Sequence, residues 1–248
     1  MKKSISLFIL LTTLMTLLLT SCGSVGSGEV SYGIGIHKSY EKLDASESSS
    51  GKAGVIYTVA STLADKNGKI VKCKIDVIEA VSEVTASGEV EIPTDFKTKR
   101  ELGDSYVMST DPGKLKWYEQ ADAFARLAEG KTLSGVKNMV TGDGTGNGKV
   151  ISAGCTITVS EFALAIEDSM KNMKDITLEN IKTIKDIELK ISTKATETDA
   201  TDSTDGKVTY TTALRAALVT DDKSVENTDI SREITDSFAF DKNGKISK

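Results

Sequence analysis

The sequence is short of the residues that most often carry chemistry. Its 248 residues include one histidine, three cysteines, two prolines and only 5% aromatics. One histidine excludes a His-rich metal site. Three cysteines are too few for a disulfide framework or a four-thiolate zinc site. An excess of positive charge is missing too, since 31 Lys and Arg stand against 36 Asp and Glu. Nucleic-acid binders need a basic face to displace counterions, so that class of partner is excluded. The length is enough for one generous domain or two small ones, each able to bury a core.

What is present begins with an address. Met1-Lys2-Lys3 is a short basic start, and Leu7 to Leu19 is an uncharged, leucine-rich run. That run is short for a membrane span. It closes on Leu19-Thr20-Ser21-Cys22, which resembles the lipobox of bacterial lipoproteins. The resemblance implies that residues 1–22 are a signal peptide with its lipobox cysteine, and that Cys22 is the lipid attachment site. It also implies a location at the outer face of the cytoplasmic membrane or the cell surface, with the bilayer as a partner. Several acyl chains on one residue would anchor stably, at about 0.8 kcal/mol per buried methylene. Removing residues 1–21 takes Lys2 and Lys3 and no acid, so the mature body becomes more acidic. Residues 23–29, rich in glycine and serine, read as a flexible tether.

Beyond the tether, hydrophobic period and turn chemistry predict an α+β fold. It is an antiparallel sheet with helices packed on one face, followed by a truncated second β unit. Residues 53–64 and 69–79 alternate as strands around Asp65-Lys66-Asn67-Gly68, a strong hairpin signal, and a weaker strand pair surrounds Ser87-Gly88. Phe96 to Met108 reads as a polar connector. Trp117, Ala121, Phe124 and Ala128 fall at helical spacing before Gly130, and a short helix follows over 132–139. Next come a glycine-rich loop from Thr141 to Gly148, a strand at 150–158 and a helix over about 159–174. Thr158 and Glu161 are placed as a capping box for that helix. Cys73 and Cys155 sit in alternating segments with both thiols on the apolar face, either as small core residues or as a disulfide.

A repeat organises the chain. Sliding it by 155 positions lays Ile191 on Ile36, Asp199-Ala200 on Asp44-Ala45, Gly206-Lys207 on Gly51-Lys52 and Leu218 on Leu63. Asp241-Lys242-Asn243-Gly244 also echoes Asp65-Lys66-Asn67-Gly68, at a different offset. Residues 30–174 then form a full β-then-α module and residues 186–248 a partial repeat of its β half. The partial repeat lacks the helices that cover one face of the first sheet. It must therefore pack on the first module, pair with another chain or stay loosely ordered. The first module is expected to fold without it.

Several motifs fail on inspection. Gly33-Ile34-Gly35 lacks the third glycine of a dinucleotide fingerprint, and Gly148-Lys149 lacks the Ser or Thr of a phosphate loop. The acidic loop from Asp143 has Gly154 where a calcium loop needs its bidentate carboxylate. His37, the single imidazole, has no nucleophile in catalytic context near it and reads as a surface residue.

The remaining pattern is a resemblance. Tyr32-Gly33-Ile34-Gly35-Ile36, Asp65 to Val71, Lys97-Thr98-Lys99-Arg100-Glu101-Leu102-Gly103-Asp104, Trp117-Tyr118-Glu119-Gln120 and Thr156-Ile157-Thr158 resemble a family of lipid-anchored surface proteins of Gram-positive anaerobes. The module is in turn distantly similar to the FMN-binding domain of exported flavoproteins. There, a Ser-Gly-Ala-Thr-like element carries covalent flavin on its threonine. Ala153-Gly154-Cys155-Thr156 stands at that element, with Ala153 and Cys155 as departures. The resemblance implies FMN as a cofactor and Thr156 as its acceptor. Gly154 would allow a phosphate to approach, and the helix start near Thr158 would favour an anion. The leading expectation is a non-catalytic, extracytoplasmic module that binds an envelope ligand or protein. The alternatives are an extracytoplasmic FMN-binding electron carrier and a structural or adhesive surface spacer.

Overall fold

A computed structural model of the chain describes residues 28–108, 114–221, 223–225 and 227–247. The signal segment, Cys22 and the tether as far as residue 27 lie outside the described residues. Strand alternation runs further than the hairpin signals indicate. β1 (Gly28–Leu43) precedes the first strand that the hairpin signal predicts, and pairs in register with β2 (Gly51–Asp65). β3 (Ile70–Val84) and β4 (Val90–Glu91) extend the sheet, and β5 (Lys174–Leu178) closes its other side. The order is β4-β3-β2-β1-β5, antiparallel throughout. A second antiparallel sheet follows the order β6-β7-β8-β9, from β6 (Asp186–Thr198), β7 (Gly206–Val219), β8 (Ile230–Phe240) and β9 (Ile246–Ser247).

The helices are α1 (Lys99–Leu102), α2 (Trp117–Ala128), α3 (Leu133–Lys137), α4 (Gly148–Ser152) and α5 (Ser160–Lys171). They cover one face of the first sheet. Trp117, Ala121, Phe124 and Ala128 of α2 and Phe162 and Ile166 of α5 bury against Cys73, Ile75 and Val77 of β3. The opposite face of the first sheet carries Tyr32, Val55, Tyr57, Leu63 and Ile78, and these pack on Ile187, Tyr210, Leu214 and Phe238 of the second sheet. The architecture is α+β in three layers, helices over sheet over sheet.

The two sheets are equivalent in register. Gly35 pairs with Ala60, and Lys190 with Arg215, each residue shifted by 155. One residue is added in the β7–β8 connection, so the shift becomes 156 for the last hairpin: Val84 pairs with Val90 and Phe240 with Ile246. The turn at Asp241–Gly244 therefore answers the turn at Thr85–Gly88, although its sequence copies the turn at Asp65–Gly68. Both Gly88 and Gly244 have positive φ, at 76° and 69°.

The repeats also clasp each other reciprocally. The Ala45 N–H donates to the Gly244 carbonyl at 3.0 Å, and the Ala200 N–H to the Gly88 carbonyl at 2.9 Å. The Ile246 N–H donates to Asp44 Oδ1 at 2.8 Å and the Val90 N–H to Asp199 Oδ1 at 3.1 Å. The matching Asp-Ala pairs in the sequence are thus the residues by which each unit holds the other's turn. A Cβ on Gly88 would lie 2.8 Å from the Ala200 methyl, and one on Gly244 2.5 Å from the Ala45 methyl. Glycine is required there for close approach.

The bare outer face of the second sheet has a simple physical basis. Where the first sheet presents Cys73, Ile75 and Val77 to its helices, the second presents hydroxyls and charges. Thr209 bonds Ser237 at 2.8 Å, and Arg215 holds Asp229 through two nitrogens. A polar face needs no helical cover.

Three local readings are corrected. Residues 150–158 are not a strand: α4 occupies Gly148–Ser152 and an irregular segment follows. The polar connector contains α1, whose capping box of Thr98 and Glu101 is complete. The capping box of Thr158 with Glu161 does not form. Val159 holds the cap position of α5, and the Gly144 carbonyl accepts from the Val159 and Ser160 N–H groups at 2.9 and 3.1 Å. Glu161 is drawn instead to the strands, accepting from Ser39 Oγ at 2.6 Å and Thr58 Oγ1 at 3.2 Å.

Candidate functional site

The segment singled out for flavin has a local structural explanation. Gly154 takes φ +93° immediately after α4. Its N–H donates to the Ile151 carbonyl at 2.9 Å and that of Cys155 to the Val150 carbonyl at 3.2 Å. This pair of bonds is the Schellman closure of a helix C-terminus. Thr156 is exposed, and its donors turn to a single oxygen: Gln120 Oε1 accepts from the Thr156 N–H at 2.8 Å and from its hydroxyl at 3.3 Å. Gln120 is buried and is itself held by donating to the Leu115 carbonyl. Thr158 is exposed and bridges to Thr145. Gly154 is thus accounted for by the closure of α4, Thr156 by Gln120 and Thr158 by its bridge to Thr145. Cys73 and Cys155 are free and buried; burial pushes the Cys155 thiol up to about 11 and raises that of Cys73 further still.

The glycine-rich loop is likewise structural. Asp143 accepts from the Thr141 and Thr145 hydroxyls, which hold its carboxyl down at about 2. That knot presents Gly144 to the start of α5. The distinctive Lys-Thr-Lys-Arg-Glu-Leu segment is a clamp between β3 and α2. Arg100 donates to the Ile75 carbonyl and to Asp122, both at 2.6 Å. Lys99 pairs with Glu79 and lies 4.6 Å from the Tyr106 ring centre and 5.8 Å from that of Trp117. Its charges are spent inside the molecule.

One groove on the helical layer is free of such duties. It measures about 1070 Å³ and lies between the end of α2, α3 and α4. Leu127, Met139 and Val150 supply an apolar lining, while Lys131 and Lys149 stand at its rim. Neither lysine forms an ion pair among the described residues. Asn147 shapes the wall by capping α4, accepting from the Lys149 and Val150 N–H groups. Gly148 is open: a Cβ there would meet nothing within 4 Å. The loop and the short helix beside this groove are legible in the sequence; the groove is not, because a strand over 150–158 leaves no α4 to wall it.

A second polar constellation crosses the two sheets. Asp236 of β8 accepts from the Tyr57 hydroxyl and from Lys38 Nζ, each at 2.6 Å. Burial, and then the Asp236 carboxylate, raise the Tyr57 phenol far above its usual range. Nearby, Asp168 of α5 accepts from Arg232 at 2.7 Å and from the Ile36 N–H at 2.8 Å. These groups are mutually satisfied and tie the layers together.

Among the described residues no cluster of His, Cys, Asp and Glu is placed to hold a metal, and no helix is long and apolar enough to cross a membrane. No family model, curated protein or solved structure matches the chain.

Proposed function

We propose that the chain is a non-catalytic binding module, attached through Cys22 to the outer face of the cytoplasmic membrane at the cell surface. Its ligand site is the groove between α2, α3 and α4, and the ligand is a small amphipathic anion. The groove carries this reading: an apolar trough with two uncommitted lysines suits an apolar body ending in a negative group. The acidic balance of the whole chain makes that local positive rim a selective feature.

The test uses 1-anilinonaphthalene-8-sulfonate with a chain beginning at Gly23, which retains every described element. Fluorescence should rise on binding and be reversed by octanesulfonate but not by octyltrimethylammonium. Gly148→Trp, which projects an indole into the trough, should remove the signal and leave the melting temperature unchanged. A signal that survives Gly148→Trp, or that both competitors reverse equally, overturns the assignment. Anchoring is checked separately in cells. Cys22→Ala should move the full-length protein out of the membrane fraction, and retention there would rule out lipid attachment at that residue.

A further inference from the structure

β6 leaves one long edge of the second sheet open. β4 and β9 are two-residue strands and β5 has five residues, whereas β6 runs for thirteen residues with unbroken pairing to β7. Its position at the end of the order β6-β7-β8-β9 leaves its other side without a strand among the described residues. In the first repeat the equivalent edge is occupied. β1 pairs there with β5 over Gly28–Tyr32, and α5 then lies against Gly33 and Gly35. The Ile36 N–H points out from that edge to Asp168. By the shared register, the same backbone direction holds at Ile191. The Ile187 N–H agrees with it, being taken by the carboxylate of Asp186 beside it. The backbone groups of Ile187, Leu189, Ile191, Thr193 and Ala195 thus face the open side. A regular edge of this length is a template for another strand.

We propose that β6 pairs antiparallel with β6 of a second copy of this chain, centred on Ile191, joining the two second sheets across a two-fold axis. Charge selects both partner and register. Edge-facing groups oppose one another only when the sum of paired residue numbers is even, which limits the choices. Centring on Lys190 sets that lysine against itself, and centring on Ser192 sets Lys190 against Lys194. Centring on Ile191 sets Glu188 of each chain opposite Lys194 of the other, twice by symmetry, with Lys190 opposite Ser192. On the inner face Ile191 meets its own copy and Leu189 meets Thr193. The pairing then runs from Asp186 to Thr196. Glu188 and Lys194 are both exposed, and the pairing exchanges the surface contact of Glu188 with Lys190 of its own strand, 2.8 Å long, for the one across the axis.

The experiment is sedimentation equilibrium of the chain beginning at Gly23 across a wide concentration range. A monomer–dimer equilibrium is expected. Ala195→Pro removes one edge-facing N–H, a substitution that strand edges tolerate. It should abolish the dimer and leave the monomer's thermal transition in place. Glu188→Lys and Lys194→Glu each put like charges opposite one another twice, and each should raise the dissociation constant about tenfold. The double variant restores the complementary pairs and should recover dimerisation. A chain that stays monomeric throughout overturns the proposal. So does a dimer indifferent to Ala195→Pro, or single reversals that the double variant fails to rescue.

Discussion

Deleting residues 186–248 is expected to abolish cooperative folding of what remains, contrary to the expectation from sequence that residues 30–174 fold alone, because the two sheets share one core. Val30, Tyr32, Ile34, Val55, Tyr57, Val59, Leu63 and Ile78 are each at most 5% exposed, and all belong to the core shared with the second sheet. Stripping that sheet away returns one whole face of the first sheet to water. At about 1.5–3 kcal/mol per large apolar side chain, the loss is on the order of 15 kcal/mol. That matches or exceeds the total stability of a typical domain, about 5–15 kcal/mol. Tyr57 would lose Asp236, and the Ala53 carbonyl would lose the Tyr210 hydroxyl at 2.6 Å. Calorimetry of the truncated chain should show no sharp transition, and the sheet face should associate non-specifically. A cooperative melt close to that of the intact chain would refute the shared-core account.

Gly35→Ala should be the most damaging single methyl. A Cβ at that position falls 1.9 Å from the Ser169 nitrogen and 2.2 Å from the Ala165 carbonyl oxygen. Both are backbone atoms of α5, so no side-chain rotation relieves the overlap. The helix must lift from β1, stretching the bond from the Ile36 N–H to Asp168 and the 2.6 Å bond between the Thr62 and Ser169 hydroxyls. The cost belongs at the upper end of the ~1–3 kcal/mol typical of overpacking. For a chain of this size that lowers the melting temperature by about 6–12 °C. Gly148→Ala, in open space, is the control and should change stability by no more than about 0.5 kcal/mol. Equal melting temperatures for the two variants would show that α5 does not sit against Gly35 as described.

The same glycine shows how a true signal can be read for the wrong reason. Gly33-Ile34-Gly35 invites comparison with nucleotide-binding turns, yet these glycines lie in mid-strand so that a helix can approach the sheet. Gly154 followed the same course. With Thr156 it stands at the element that resembles a flavin-carrying one, from which Ala153 and Cys155 depart, and its positive φ closes α4. A C-terminal glycine signal was legible there, and it was masked by the apparent alternation of Cys155, Ile157 and Val159. Thr158 and Glu161 have capping-box spacing, but Glu161 found better partners in Ser39 and Thr58 across the layer. Capping boxes are local, and a long-range carboxylate–hydroxyl pair can outcompete one.

Much of the architecture follows from local physics that needs no knowledge of the fold. Period-two alternation and an Asn-Gly turn define the β2–β3 hairpin. The stripe from Trp117 to Ala128 defines α2, and the 155-residue correspondence ties β6 and β7 to β1 and β2. The Asp44-Ala45 and Asp199-Ala200 matches were visible as identities, without any indication of their work. Their purpose depends on where each repeat meets the other's turn, and no local period encodes that meeting. Which face of each sheet would be covered was likewise a matter of packing. The inner faces are apolar in both repeats and close on each other, while only the first keeps an apolar outer face for helices. The groove arises in the same way, from the angle at which α2, α3 and α4 leave a gap. An open β6 edge also follows from topology: the strand and helix that protect β1 have no counterpart beside β6 among the described residues.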